Sequence, residues 1–213
     1  VEPMPGVFIS DYVRRLDPSY VKKGQNRSQW VDALRADIRE QKAKYGTDRA
    51  VMVWCASTER FLDPEPVHQS LAAFVQGLAD NDLSIAPSQM YAYAALMEGV
   101  PMANGAPNLT LEIPALQELA LKQGLPIAGK DFKTGQTFMK TLLAPGLKAK
   151  LLGVQGWFST NILGNKDGLV LDEPDNFRTK EHSKLESLHS IFEAERYPEL
   201  YGDLHHTVRI NYY

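Results

Sequence analysis

Apolar positions recur at helical spacing early in the chain. Trp30, Leu34 and Ile38 share one face, with Ser28 placed as a cap and Gly46 as the stop, so the spacing predicts a helix here. The period then changes. "AVMVWC" (50–55) is a short apolar run bounded by polar residues, the pattern of a buried strand, with Cys55 as a small core residue at its end. Residues 68–82 return to an amphipathic helical pattern. "LSIAP" (83–87) reads as a strand, and 88–99 as a helix capped by Ser88. "VPMANGAPN" reads as strand then turn, and 113–124 as a helix closed by Gly124. "LPIAG" is a further strand and 134–144 a further helix.

Strand and helix therefore alternate through the middle of the chain with short connections. Buried strands separated by helices imply a mostly parallel sheet covered on both faces. In such sheets ligands lie beyond the carboxyl ends of the strands. Three polar turns fall there: "CASTER", "NGAPN" and "GKDFKTG". Beyond 145 the texture differs. "AKLLGVQGWFSTNILG" is a long strand-like stretch, "NKDG" a turn, "DEPDNF" a loop, "TKEHSKLESLHSIF" a helix and "HTVRINYY" a strand. This predicts a two-part organisation, with residues 1–136 in one domain and 137–213 opening an α+β second domain.

Composition narrows the function classes. The chain has 213 residues, 44% hydrophobic and 23% charged, a globular balance. A net charge of -3 gives no reason to expect nucleic acid or an anionic membrane as partner. One cysteine excludes an internal disulfide framework and fits a reducing compartment. No apolar run approaches bilayer length, and "VEPMPGVFIS" has neither the charged nor the apolar region of an export signal, so a cytoplasmic protein is the expectation. The chain opens without a methionine and closes on a strand, as an internal piece of a longer protein would.

The candidate chemistry sits in three stretches. In "GKDFKTGQT" (129–137) Asp131, Lys133, Thr134 and Thr137 surround a strand-to-helix turn. Free N–H groups at the helix start, the positive end of its dipole, two hydroxyls and Gly135 together make an anion site; a plain N-capped helix with surface charges fits the same pattern. In "FRTKEHSK" (177–184) Lys180 and Lys184 share one face, with Arg178 just before them. Like charges four apart at a helix start suggest an anion supplied from outside, and a solvated basic face is the alternative. In "NILGNKDG" (161–168) Asn161, Asn165, Lys166 and Asp167 lie in a glycine-bracketed loop that could orient a sugar or an amide, or merely connect. The five histidines show no metal spacing, and no metal is expected.

Taken in order, "VWCASTER", "NGAPN", "GKDFKTGQT", "NILGNKDG" and "FRTKEHSK" closely resemble the myo-inositol-1-phosphate synthase family, from about residue 50 to the end. The resemblance implies the middle of that enzyme: part of a Rossmann-like NAD-binding domain followed by part of a catalytic and oligomerisation domain like that of glyceraldehyde-3-phosphate dehydrogenase. It implies isomerisation of glucose 6-phosphate to inositol 1-phosphate, the first step of inositol and inositol-phospholipid biosynthesis. Hydride passes from sugar carbon 5 to NAD, an enolate forms at carbon 6 and attacks the aldehyde at carbon 1, and the hydride returns. A homotetramer is the implied assembly.

The implied roles follow residue by residue. Thr134, Gly135, Gln136, Thr137 and Lys184 hold the substrate phosphate. Lys180, Lys184, Asp131 and Lys133 are the catalytic set. Ala56, Ser57, Thr58, Gly105, Ala106, Asp131, Asn161 and Asp167 contact NAD, and Leu163, Asn165 and Lys180 contact the sugar. Four departures stand out. Ser57 occupies a usual asparagine position, Thr134 a serine and Lys166 an asparagine, while Asn211 stands where the family has a catalytic lysine. Arg209 and Lys166 are the candidate replacement cations. That last departure keeps two alternatives open: a related NAD-dependent sugar-phosphate dehydrogenase, or a fragment that only oligomerises. The isolated piece is expected to be inactive, because half the cofactor site lies outside it.

Overall fold

The computed structural model describes residues 2–132, 135–163 and 166–212, with the side chains of 161–163 and 210–212 outside the description. Helix α1 (Arg27–Tyr45) forms as its spacing predicts, but Asn26 rather than Ser28 caps it, accepting from Gln29 N. The Ser28 hydroxyl instead donates to Leu78 O at 2.9 Å, tying α1 to the next helix layer. Strand β1 is only Met52–Trp54. Val51 and Val53 are exposed, so β1 is not the buried strand expected, and Cys55 lies exposed beyond its end rather than in the core.

Helix α2 (Leu71–Ala79) is capped by Ser70. "LSIAP" is not a strand. Ile85 and Ala86 are fully buried in a loop, and Pro87 opens α3 (Pro87–Met97). A buried loop and a buried strand present the same apolar signature, and here the fixed φ of proline at a first helical turn decides between them. Ser88 therefore lies inside α3, where its main-chain N and its hydroxyl both donate to Glu59 at 2.8 and 2.6 Å.

Strand β2 (Met102–Asn104), helix α4 (Pro114–Gln123) and strand β3 (Ile127–Gly129) complete the first unit, with Gly124 closing α4. The three strands are parallel in the order β1-β2-β3, and Trp54, Asn104 and Gly129 are level with one another. Helices α1 to α4 pack beside this sheet over one core that includes Leu34, Phe74, Ile85, Met90, Leu96, Met102, Leu116 and Leu119. Each such side chain contributes about 1.5–3 kcal/mol on burial.

The second set of elements begins with α5 (Gly135–Ala149), which runs past the predicted end and through Pro145. Strands β4 (Gly156–Leu163) and β5 (His205–Tyr212) pair in parallel. Their crossover holds α6 (Asp167–Leu171), α7 (Pro174–Phe192) and α8 (Pro198–Tyr201). Of "NKDG", Lys166 is a turn residue while Asp167 and Gly168 open a short helix, and "DEPDNF" enters the start of α7 instead of a loop. Pro174 stands in the first turn of α7, where its missing N–H costs nothing. A second core gathers Ala144, Leu188, Phe192, Tyr201 and Leu204, with Phe192 stacked on Tyr201 at 4.4 Å. No helix among the described residues is long and apolar enough to cross a membrane.

Candidate active site

Because β1, β2 and β3 are parallel and end level, the turns after them share one rim. The rim is knitted by main-chain bonds. Gly105 N donates to Trp54 O, Asp131 N to Ala106 O and Phe132 N to Gly105 O, at 2.8–3.1 Å. Asn104 reinforces it from below, its side chain bonding Ala106 N and Asn108 O. A Cβ on Gly105 would stand 2.8 Å from Trp54 O and 2.9 Å from the Phe132 ring, so glycine is required for this packing. Ala56 is exposed, Ser57 half-buried and Thr58 buried. Beside Ala56 and Ser57 opens a cavity of about 130 Å³, walled by Val7, Phe8, Trp54 and Pro87 among others.

Asp131 is the hinge of the site. It is buried, takes a positive φ of 53°, and aims both carboxylate oxygens at α7. Lys180 Nζ donates to Oδ1 at 2.7 Å, and Ser183 Oγ donates to Oδ2 at 3.0 Å. An ion pair 49 residues apart thus joins the third rim turn to α7. Ser183 was missed by sequence reasoning, although its spacing of three from Lys180 places both on one helix face.

The cations are not clustered at a helix start as expected. Since α7 begins at Pro174, Lys180 and Lys184 lie nearly two and nearly three turns further in. Arg178 leaves the cluster altogether, its guanidinium lying 4.0 Å over the Phe61 ring. Lys184 is buried, and its main-chain O accepts from Lys140 Nζ at 2.7 Å. Lys140 is itself fully buried on α5. Opposite these two, His206 Nε2 lies 2.7 Å from Ser159 Oγ, and Nδ1 is buried with no hydrogen-bond partner among the described residues. Burial, aided by the charges of Lys140 and Lys184, pushes the His206 imidazole down to about 4. Neither Lys140 nor His206 carries a sequence signal, because nothing in a local pattern marks a lysine as buried.

The helix start named by the sequence is α5. Gly135 opens it with φ of 42° and open space where a Cβ would be, so backbone conformation alone favours glycine there. Gln136 Nε2 reaches Thr160 O on β4 at 3.5 Å, and Thr137 is buried in the same first turn. Lys133, Thr134 and Asn165 lie outside the described residues, as do the side chains of Asn161, Leu163 and Asn211. Asp167 is drawn to the rim: Ser57 Oγ donates to its Oδ1 at 2.9 Å. Arg209 and Lys166 are both exposed. Among the described residues no group of three His, Cys, Asp or Glu could hold a metal ion.

The comparisons with known proteins agree with one another. The NAD-binding family model described as Myo-inositol-1-phosphate synthase matches residues 1–192. Inositol-3-phosphate synthase 1 of Bacteroides thetaiotaomicron is 52% identical over 214 residues, covering 100% of this chain and 50% of that protein. Inositol-3-phosphate synthase 1 of Oryza sativa subsp. japonica is 39% identical over 186 residues, covering 85% of this chain and 36% of that protein. The crystal structure of inositol-3-phosphate synthase from Caenorhabditis elegans superposes with a TM-score of 0.88 at 30% identity, covering 99% of this chain and 42% of the other. The chain thus spans half or less of the length of these relatives. Level strand ends, a rim of small residues and a lysine-bearing helix docked on its aspartate now stand beside a family match over most of the sequence, and the chain belongs to the myo-inositol-1-phosphate synthase family.

Proposed function

We propose that the full-length protein containing this chain isomerises glucose 6-phosphate to inositol 1-phosphate with NAD as a recycled cofactor. The observation that carries the reading is the Asp131–Lys180–Ser183 cluster. It puts an ammonium group beside the cofactor rim, one turn before the buried Lys184. NAD, when bound, supplies the acceptor for a hydride from sugar carbon 5 and returns it after ring closure. Ala56, Ser57, Thr58, Gly105 and Ala106 are the rim residues that would hold it. The small side chains and the apolar cavity beside Ala56 and Ser57 fit a flat heterocycle.

The chain's own residues supply charge and orientation. Oxyanions develop at carbon 5 on enolisation and at carbon 1 on ring closure. Lys180 stabilises them and exchanges a proton, held in place by Asp131. The first turn of α5, with Gly135, Gln136 and Thr137 after Thr134, takes the phosphate together with Lys184. Asn161, Leu163, Asn165 and Asp167 border the sugar and nicotinamide, and Lys133 completes the catalytic set. The division near residue 136 is supported by one core before it and one after it, while a third cluster joins Tyr12, Val13 and Ala86 to Val170 across it. Cytoplasmic location and a role in phospholipid supply belong to the same reading. So does a homotetramer, supported by the exposed apolar face of α5 at Phe138, Met139, Leu142 and Leu143.

Asn211, in place of the family lysine, favours one second reading: an NAD-dependent sugar-phosphate dehydrogenase. Incubating the full-length protein with glucose 6-phosphate and NAD separates the two. Inositol 1-phosphate without net NADH is the expected result. Steady NADH accumulation without inositol phosphate would replace the isomerase with the dehydrogenase.

A further inference from the structure

Asn176 stands in the first turn of α7 and is fully buried. Its Nδ2 donates to Tyr12 O at 2.8 Å and to Thr58 O at 2.7 Å, which uses both amide hydrogens and fixes which way the group faces. The two acceptors lie 164 and 118 residues back in the chain, one in the N-terminal segment and one in the first rim turn. Its Oδ1 is buried without a hydrogen-bond partner among the described residues. A buried acceptor left unpaired is costly, so ordinary core packing does not account for an asparagine here.

The joint has a further member. Tyr12 O also accepts from Arg60 N at 2.9 Å, so one carbonyl binds both the rim turn and α7. Nearby, Phe61 N donates to Asp175 O at 3.0 Å, and Arg14 and Arg15 pair with Asp172, Glu173 and Asp175. Those ion pairs are partly to fully solvent-exposed and contribute little. The asparagine bonds are dry. Lys180 follows Asn176 by one helical turn, about 6 Å along the axis, and Lys184 by a second turn. A helix moves as a rod, so the seat of Asn176 determines where both ammonium groups stand relative to the rim.

We propose that Asn176 is a positioning residue: it sets the separation between the rim turn holding Thr58 and the lysines of α7, and thereby the alignment for hydride transfer. The inference rests on the isomerase reading above. An error of about 1 Å in such alignment lowers a rate by roughly 100-fold without a matching loss of binding.

The test uses the full-length protein, Asn176→Ala and Asn176→Ser, and glucose 6-phosphate with deuterium at carbon 5. The expected result for Asn176→Ala is a kcat lowered by about 10- to 100-fold with KM changed far less, and a deuterium isotope effect larger than in the parent protein. Asn176→Ser, which keeps one donor, falls between. An isotope effect equal to the parent's would overturn the proposal, because loss of folded molecules lowers activity but leaves the ratio untouched. Failure of both variants to fold would overturn it too, marking the residue as purely structural. If the parent forms NADH and no inositol phosphate, the isomerase reading alone fails. The isotope effect is then read on NADH formation and still decides the role of Asn176.

Discussion

The two halves of the chain bury amides and hydroxyls alike and differ in the charged groups buried with them. Around β1, β2 and β3 the buried polar groups are mostly amides and hydroxyls: Ser88, Gln89, Asn104, Asn108 and Thr110. Arg27 is an exception, spending its guanidinium on Asn81 and on the carbonyls of Leu83 and Ile85. Of the buried carboxyls Glu59 and Asp131, Glu59 is pushed up to about 7 by loss of water, with Ser88 pulling the other way. Around α5, α7 and β5 the buried groups include Lys140, Lys184 and His206. A surface of mostly neutral dipoles suits the grip on a cofactor, with Glu59 as a titrating member of its first turn. Buried ammonium groups suit a place where negative charge arrives with a phosphate and grows during enolisation. Asp131 stands at the boundary and draws Lys180 toward the rim.

The largest effect that sharpens this contrast is expected from Lys180→Ala in the full-length protein, with kcat lowered by about 100- to 1,000-fold. A loss under tenfold would break the division of labour. Lys184→Ala follows, raising KM for glucose 6-phosphate by about 10- to 100-fold, the worth of one or two charge-assisted hydrogen bonds. A change confined to kcat would move Lys184 out of the phosphate site.

The halves also differ in their response to pH. His206 has a folded value of about 4 against an ordinary 6.5. The neutral form is favoured by folding, so its contribution is present above 6.5 and is lost as pH falls toward 4. Glu59 has a folded value of about 7 against 4.5. Its contribution is present below 4.5 and is lost as pH rises through 7. Each slope is at most about 1.4 kcal/mol per pH unit. Denaturant melts across pH 4–8 should therefore lose the acid-side slope in His206→Gln and the opposite slope in Glu59→Gln. Parallel curves for parent and variants would contradict both assignments. The smallest effect is local: Asn26→Ala removes the α1 cap and lowers stability by about 1 kcal/mol, read from the same melts.

Much of the architecture is legible residue by residue. The spacing of Trp30, Leu34 and Ile38 and the stop at Gly124 locate α1 and α4 because helical burial repeats along the chain. The rim turns are equally plain, since each follows an apolar run. What escapes is whatever depends on distant neighbours. Ile85 reads as strand because burial alone does not reveal a missing partner strand. The Lys180–Asp131 pair spans 49 residues, and Asn176 spans over a hundred, so no local window contains either. The lysines read as a helix-start cluster because Pro174, five residues before the predicted boundary at Thr179, reads as loop.

Cys55 is the single thiol in these 213 residues, exposed and adjacent to Ala56 on the rim. A maleimide dye placed there would sit at the lip of the cofactor turn without any added mutation. Within this stretch labelling is confined to one spot, so its brightness becomes a built-in gauge of rim occupancy.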